Sequence, residues 1–499
     1  MSNNLSSVLV QEQKRYTLQQ LASLCDVSEE CIVPVVKKLK EFGIMYTVKR
    51  KNSQCDKSEL LEEDIALVDV EAGDKRNYYV FKFVGIIVVK GFVFKSFPKY
   101  IKKKDPNEEL KLILKVLDKC NSDREAIKFF SDTNGDKTFH LLAVLLFFIQ
   151  DYYENGSYRN EEVIIETNGQ GEIHWEKTIN NTFAFISNNR PFYTELQTIK
   201  RIDDNSDYFK RLHECVITQA SKELESAGLL ELFELPETHL SDEVLGDFGD
   251  KEYILYRIDR ELNVQFNSWK QLVLKALYSF VEKSGHLMDT DCFSIYGTTS
   301  FNLVWQHVCE FVLNNSINTP LRNLELPKPL DNVYKEFNGN SNPTLKSIVE
   351  KPKWSFTNME ANDTMVPDII SIEKIEDKDN DYKYMFAILD AKYYTPELEI
   401  GRTPKNQPGI DSITKQYFYQ MAYSDFLNKQ GFEKDYIRNC FILPTENQEE
   451  HAKGEVYLTM FEFLDTKKSK GIQVRYLLAS LVYENYLNSR IMKLDALNL

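Results

Sequence analysis

Asp368, Asp390 and Lys392 are the residues in this sequence best spaced to do chemistry together. Two apolar runs flank a charged tip, Glu376 to Asp381, which is the pattern of a β-hairpin. With Asp379 at the centre of the tip, Asp368 lies eleven residues before it and Asp390 eleven after. That register sets the two acids opposite each other, with Cβ atoms about 4.5–5.5 Å apart. Lys392 lies two residues beyond Asp390 and points to the same face. Met385, Ala387 and Leu389 on one side and Tyr384, Phe386 and Ile388 on the other make the second strand apolar on both faces, as in a buried central strand. Two acids at the end of such a strand need a cation to neutralise them. Mg²⁺ suits the pair, because it takes oxygen ligands at about 2.0–2.1 Å and uses one or two carboxylates. Mn²⁺ is its expected substitute. Pro367 has no N–H to donate, so the first strand should leave the ladder beside Asp368. The competing reading is an Asp368 that ends a strand at a turn and a surface Asp390–Lys392 ion pair.

The elements around the hairpin must hold these groups. Asp411–Asn428 reads as a helix capped by Asp411 or Ser412 and ended by Gly431. Gln416, Gln420 and Tyr423 recur on it at i, i+4 and i+7, a polar stripe on an aromatic helix. An amide from that stripe could hold a scissile phosphate or orient Lys392, and Gln416 and Tyr423 are candidate DNA contacts; the alternative is a satisfied, half-buried glutamine. Phe441–Pro444 and Val456–Leu464 read as strands and Ile472–Leu487 as a final helix. Before the hairpin, Asn267–Lys283 and Ser300–Asn314 read as helices. On the second, Trp305, Val308 and Val312 form the apolar stripe, with Gln306 and Glu310 on one polar face. The sum is a mixed α/β core.

The front of the chain has a different pattern. Tyr16 to Arg50 reads as two helices, capped by Thr17 and Ser28, and a strand from Ile44 to Lys49, the outline of a winged helix-turn-helix. Lys37, Lys38 and Lys40 on the second helix could meet phosphates, or line a solvated face of a protein-binding unit. Lys51 to Arg76 is polar and charged, as a linker would be. Tyr78–Tyr100 has β-branched runs broken by Gly85 and Gly91, which suits a small curved sheet or barrel. Helices are expected at Glu108–Cys120, Thr138–Tyr153 and Asp207–Phe233, the last interrupted at Gly228. Val163–Asn180 reads as strands around a turn at Asn168-Gly169, with His174 a structural strand residue.

At 499 residues the chain has room for two to four domains. Eight scattered cysteines without a C-x-x-C pair suit a reducing cytoplasm and argue against zinc. The longest apolar run, Leu141–Ile149, is nine residues, too short to cross a bilayer, so no membrane partner is expected. The net charge of −15 is uneven: residues 1–104 carry 18 Lys and Arg against 13 Asp and Glu, a balance of +5. A basic front permits localised DNA contact. No G-x-x-x-x-G-K-[ST] occurs, so there is no P-loop cradle for a nucleotide and no small-molecule cofactor is expected.

Pro367-Asp368…Asp390-Ala391-Lys392 resembles the PD-(D/E)xK nuclease signature. The run Val84-Gly85-Ile86…Phe97-Pro98-Lys99 resembles the front of McrC-type subunits. Asn168-Gly169-Gln170-Gly171-Glu172-Ile173-His174-Trp175, Tyr296-Gly297-Thr298-Thr299-Ser300 with Val304-Trp305, and Leu389-Asp390-Ala391-Lys392-Tyr393-Tyr394…Tyr419-Gln420-Met421-Ala422-Tyr423 resemble the LlaJI-type restriction endonuclease family. Where that family tends to carry an acid after Val-Trp, this chain has Gln306. The resemblance implies an α/β multidomain protein whose C-terminal PD-(D/E)xK nuclease core is a mixed sheet flanked by helices, after a winged-helix-like unit and a small β-rich domain. The boundaries it suggests are 1–52 for the winged-helix-like unit, 53–76 for a linker, 77–262 for a β-barrel-like and helical McrC-like region, and 263–499 for the nuclease. It implies a metal held by Asp368, Asp390 and the Ala391 carbonyl, a catalytic Lys392, a contributing Gln420, and Glu310 as an acid from the preceding helix, if not merely an exposed one. It further implies double-stranded DNA as substrate and an McrB-like AAA+ GTPase as companion. Two alternatives stay open: a catalytically silent DNA-binding or assembly subunit, and a repair or recombination nuclease of the same superfamily.

Overall fold

The structure, a computed structural model, describes residues 6–49, 77–103, 105–122, 141–203, 207–283, 286–287, 289, 292–356, 359–376, 382–396, 401, 403–447, 454–465, 471–497 and 499. The chain divides into two units, one of residues 1–6, 88–93 and 127–296, the other of 7–87, 94–126 and 297–499. No described helix is long and apolar enough to cross a membrane.

In the first unit the apolar run becomes the helix Leu141–Asn155, with Leu142, Leu145, Phe148 and Ile149 buried. It packs on Tyr208–Ser226, which starts at Asp207, whose carboxylate accepts the Phe209 N–H at 3.1 Å. That helix stops just before Gly228, which takes the positive φ (61°) that glycine allows, and residues 230–233 form turns, so the expected helix through Phe233 ends here. His213 on it is buried, accepts the Tyr158 N–H at 2.9 Å, and is pushed down to about 3 by burial, so it stays neutral. Glu161–Thr167 and Glu172–Ile173 both pair with Gln197–Asp203. Gly171 lies so close to the Ile199 carbonyl that a Cβ would fall 1.8 Å from its oxygen. His174 is not a strand residue. It caps the helix Trp175–Asn181, its Nδ1 accepting the Lys177 N–H at 3.3 Å, because a ring nitrogen can serve the free N–H groups of a helix start.

The second unit begins with helices Leu18–Leu24 and Glu29–Glu41. Thr17 and Gln20 exchange bonds in a capping box (3.1 and 2.9 Å). Ser28 precedes the second helix but gives it no side-chain cap, since its hydroxyl turns to Cys31 Sγ at 3.4 Å. Met45–Lys49 and Arg15–Tyr16 pair on either side of Asn77–Phe81. The expected linker, 53–76, lies outside the described residues. The strands Val84–Val89 and Phe92–Phe97 each run across a boundary between the two units, and Lys90 and Gly91 between them take positive φ (50° and 77°), as a two-residue hairpin turn requires.

The C-terminal part contains α1 (Phe301–Val312), β1 (Ile369–Glu376), β2 (Tyr382–Ala391), α2 (Ile410–Ala422), α3 (Ser424–Gln430), β3 (Ile437–Thr445), β4 (Gly454–Val456), β5 (Ile472–Leu478) and α4 (Ala479–Leu487). The strands form one mixed sheet in the order β1-β2-β3-β5-β4. β1 and β2 are antiparallel, β2, β3 and β5 parallel, and β4 antiparallel to β5. β2 is buried from Met385 to Ala391, as its two apolar faces require. On one face Ile370, Phe386 and Ile388 pack with Tyr423, Phe426 and Leu427 of the α2–α3 segment. Phe301 of α1 meets Tyr393, just beyond β2, with 5.4 Å between ring centres.

Three boundaries differ from expectation. Asp411–Asn428 is two helices that meet at Tyr423, and Gly409, not Asp411 or Ser412, is the N-cap. The first half of Ile472–Leu487 is the strand β5, because Ile472 and Val474 alternate with Gln473 and Arg475, and this period of two outweighs helix propensity. Val456–Leu464 contains only the end of β4 and then a 3₁₀ turn at Thr459–Leu464.

Candidate active site

The hairpin pairs Ile369 with Leu389 and Glu376 with Tyr382, so Asp368, one step before β1, faces Asp390 on β2. Asp368 lies just outside the ladder, after Pro367, and Asn315 takes up its backbone: Nδ2 donates to the Asp368 carbonyl at 2.9 Å and Oδ1 accepts the Ile370 N–H at 3.1 Å. Asp390 is 5% exposed and pairs in register with Phe441 of β3. The Lys392 N–H donates to the Ile442 carbonyl at 2.9 Å, which carries β2's pairing one residue past its end.

The ammonium of Lys392 lies 3.1 Å from Asp390 Oδ1. This ion pair is what meets the buried oxygen, which has no other hydrogen-bond partner among the described residues. Burial pushes Asp368 up to about 8, helped by its hydrogen bond to Asp390 and by the charges of Asp390 and Glu310, while Lys392 pulls the other way. Burial draws the Lys392 ammonium down, but Asp390 and Asp368 outweigh it and the net movement is up. Two carboxyls and one amine therefore share too little positive charge, and a proton on Asp368 makes up the difference.

A hard divalent cation fits that vacancy in charge. The donors are oxygens, two carboxyls sharing one ammonium, and the raised Asp368 favours a proton that a cation would displace. Among the described residues no three His, Cys, Asp or Glu side chains gather into a metal cage, so such an ion would rest on the two carboxylates, a backbone carbonyl and water. Ala391 is buried between them in sequence, its backbone in register with Ile442.

The other candidates fall into two groups. Glu310 is near enough for its charge to act on Asp368, and it accepts the Gln306 amide at 3.0 Å. Gln420 turns aside, accepting from Asn439 at 3.3 Å and donating to the Leu464 carbonyl at 3.5 Å. Gln416 and Tyr423, expected at DNA, are both fully buried. Gln416 donates to the Cys440 carbonyl at 3.4 Å and Tyr423 to that of Leu345 at 3.1 Å, because the polar stripe faces the sheet. Lys37 is exposed, Lys38 is 3.7 Å from Glu41 and lies over the Phe42 ring, and Lys40 is half-buried.

Three residues near the pair were not candidates. Tyr419 on α2 is pushed up to about 12 by burial and by the charges of Asp390 and Asp368, which puts its hydroxyl in their field. Tyr393 donates to the buried Glu12 carboxyl at 2.5 Å and lies 4.7 Å under the Lys99 ammonium. The third is Asn315. Pro367 signals that the backbone beside Asp368 needs an outside partner, but nothing in the sequence says which residue supplies it.

Comparison with known proteins places the chain. A curated relative, the type II restriction enzyme BsuMI component YdjA of Bacillus subtilis (strain 168), is 26% identical over 88% of this chain and 86% of its own length. Among solved structures, a half-complex of Thermococcus gammatolerans McrB AAA+ hexamers with bound McrC matches over 97% of this chain and 99% of its own, at 14% identity and a TM-score of 0.35. The McrBC complex of the same organism matches 61% of this chain and 86% of its own, at 13% identity and a TM-score of 0.26. The family model described as LlaJI restriction endonuclease matches residues 83–346 and 330–476, a span that takes in Asp368, Asp390 and Lys392 together, and the chain therefore belongs to the LlaJI restriction endonuclease family.

Proposed function

We propose that this chain is the DNA-cleaving subunit of a restriction system, hydrolysing phosphodiesters with Mg²⁺ at a PD-(D/E)xK site. The observation that carries the reading is the convergence of Asp368, Asp390 and Lys392 at the end of a buried strand, with one carboxyl raised by burial and the other's buried oxygen met by the Lys392 ammonium. Asp368, Asp390 and the Ala391 carbonyl would hold the ion. When bound, it supplies the positive charge the pair lacks and polarises the scissile phosphate. Lys392 orients the attacking water and stabilises the charge that grows on the phosphate. Glu310 and Tyr419 border the acids and tune their field. Gln420 stands one helical turn from Gln416, and a rotation of its side chain would be needed to bring it to substrate.

The curated relative is a component of a restriction enzyme, which favours action within a multi-subunit system. The companion we propose is an McrB-like AAA+ GTPase that brings double-stranded DNA to the site. The helix pair Leu18–Leu24 and Glu29–Glu41, with its small sheet, serves as a winged-helix-like DNA or protein contact.

The test is nicking of supercoiled plasmid, methylated and unmethylated, in Mg²⁺ or EDTA, with and without an McrB-like AAA+ protein. Wild type should cut in Mg²⁺ only, and Asp390→Asn and Lys392→Ala should bind DNA without cutting it. Equal nicking by these variants would overturn the site. No nicking by wild type with its companion and Mg²⁺ would leave a silent assembly subunit instead.

A further inference from the structure

We propose that Asn315 is a positioning residue that sets the geometry of the two acids, an inference that rests on the nuclease reading above. Its side chain makes three hydrogen bonds: Nδ2 to the Asp368 carbonyl (2.9 Å), and Oδ1 from the N–H groups of Ile370 (3.1 Å) and Ile317 (3.1 Å). Its own N–H donates to the Glu310 carbonyl at 3.0 Å, and the next residue, Ser316, donates its N–H to the Ile370 carbonyl at 2.7 Å. Asn314 before it turns the chain at a φ of 52°, a left-handed conformation that asparagine tolerates. One residue therefore joins the end of the helix that carries Glu310 to the backbone that carries Asp368.

The need for such a joint follows from the hairpin. Pro367 cannot donate, and the ladder between β1 and β2 starts only at Ile369, so Asp368 would otherwise be held from one side. Asn315 brackets it by gripping the carbonyl of Asp368 and the N–H of Ile370. A carboxylate must be fixed to within about 0.5 Å to share an ion with its neighbour. Asn315 touches neither substrate nor ion, so it acts through Asp368.

Asn315→Asp keeps the acceptor for Ile370 and Ile317 but loses the donor to Asp368, and is nearly the same shape. In the full-length chain, Mn²⁺ affinity read by electron paramagnetic resonance should fall about ten-fold or more. With Mg²⁺ and the companion protein, kcat should fall about 10–100-fold with KM for DNA unchanged. Asp250→Ala, which removes the N-cap of the helix Lys251–Val264, should lower the melting temperature and leave both readouts alone. Unchanged Mn²⁺ affinity and kcat in Asn315→Asp overturn the inference. Should Asn315→Asp fail to fold, Asn315→Ser, which keeps a short acceptor, is read the same way. If wild type neither binds Mn²⁺ nor cuts, the nuclease reading falls and this inference with it; if wild type does both and the Asn315 variants match it, only the inference falls.

Discussion

Asp368 keeps its proton because it is buried beside a second acid, and this has a consequence for stability. Burial, with Asp390 beside it, raises this carboxyl in the folded chain to about 8, from an ordinary value of 3.8. Between those values the folded state binds more protons, so stability falls as pH rises through the window. In EDTA the melting temperature should therefore decline from about pH 5 to pH 8 through this residue, and Asp368→Asn should flatten the slope. An equal slope in the variant would remove Asp368 as the cause. Mg²⁺ should oppose the decline, since it replaces the proton. Lys392→Ala should cost cleavage about 10²–10³-fold or more, the loss typical of removing a group that meets developing negative charge. At this scale the sequence was highly legible. The charged tip fixed the centre of the hairpin, and a period of two then fixed which residues meet. Asn315 was not legible, because its partner is 53 residues away and amides carry no pattern.

Helices and strands were legible where their periodicity had one meaning. Thr17 and Gln20 form the expected capping box, and Thr17→Ala should cost about 1 kcal/mol of stability by urea melts. Ile472–Leu487 misled because an alternating run passes into a helical one without a break at Leu478. The stripe Gln416, Gln420, Tyr423 was seen but its direction was not: amphipathicity gives a face, and burial of Gln416 beneath an aromatic helix shows that the polar face can turn inward. A second joint between elements is testable here. Burial lifts the Glu12 carboxyl, and the Tyr393 hydroxyl and Lys99 charge partly hold it down. Tyr393→Phe removes that donor and should destabilise the chain by about 1–3 kcal/mol in denaturant titration. No change would mean that Glu12 stays protonated and content without it.

The molecule as a whole is acidic, with its positive charge concentrated at the front. If Lys37, Lys38 and Lys40 meet phosphates, changing all three to Gln should flatten the log–log salt dependence of DNA binding by about 2–3, without lowering kcat. An unchanged slope would assign that helix to a protein partner. Reading along the chain finds neighbours in sequence, whereas Glu12 and Tyr393 bond across 381 residues, so the union of 7–87 with 297–499 in one unit left no local trace. The strand order bears on how the protein is made. β5 inserts between β3 and β4, so the sheet that carries Asp390 stays open along one side of β3 until residues 472–478 have left the ribosome. A nascent chain halted before that point would carry its acids and lysine on an unfinished scaffold. Synthesis itself thus completes the sheet that carries the two acids only after β5 has been made.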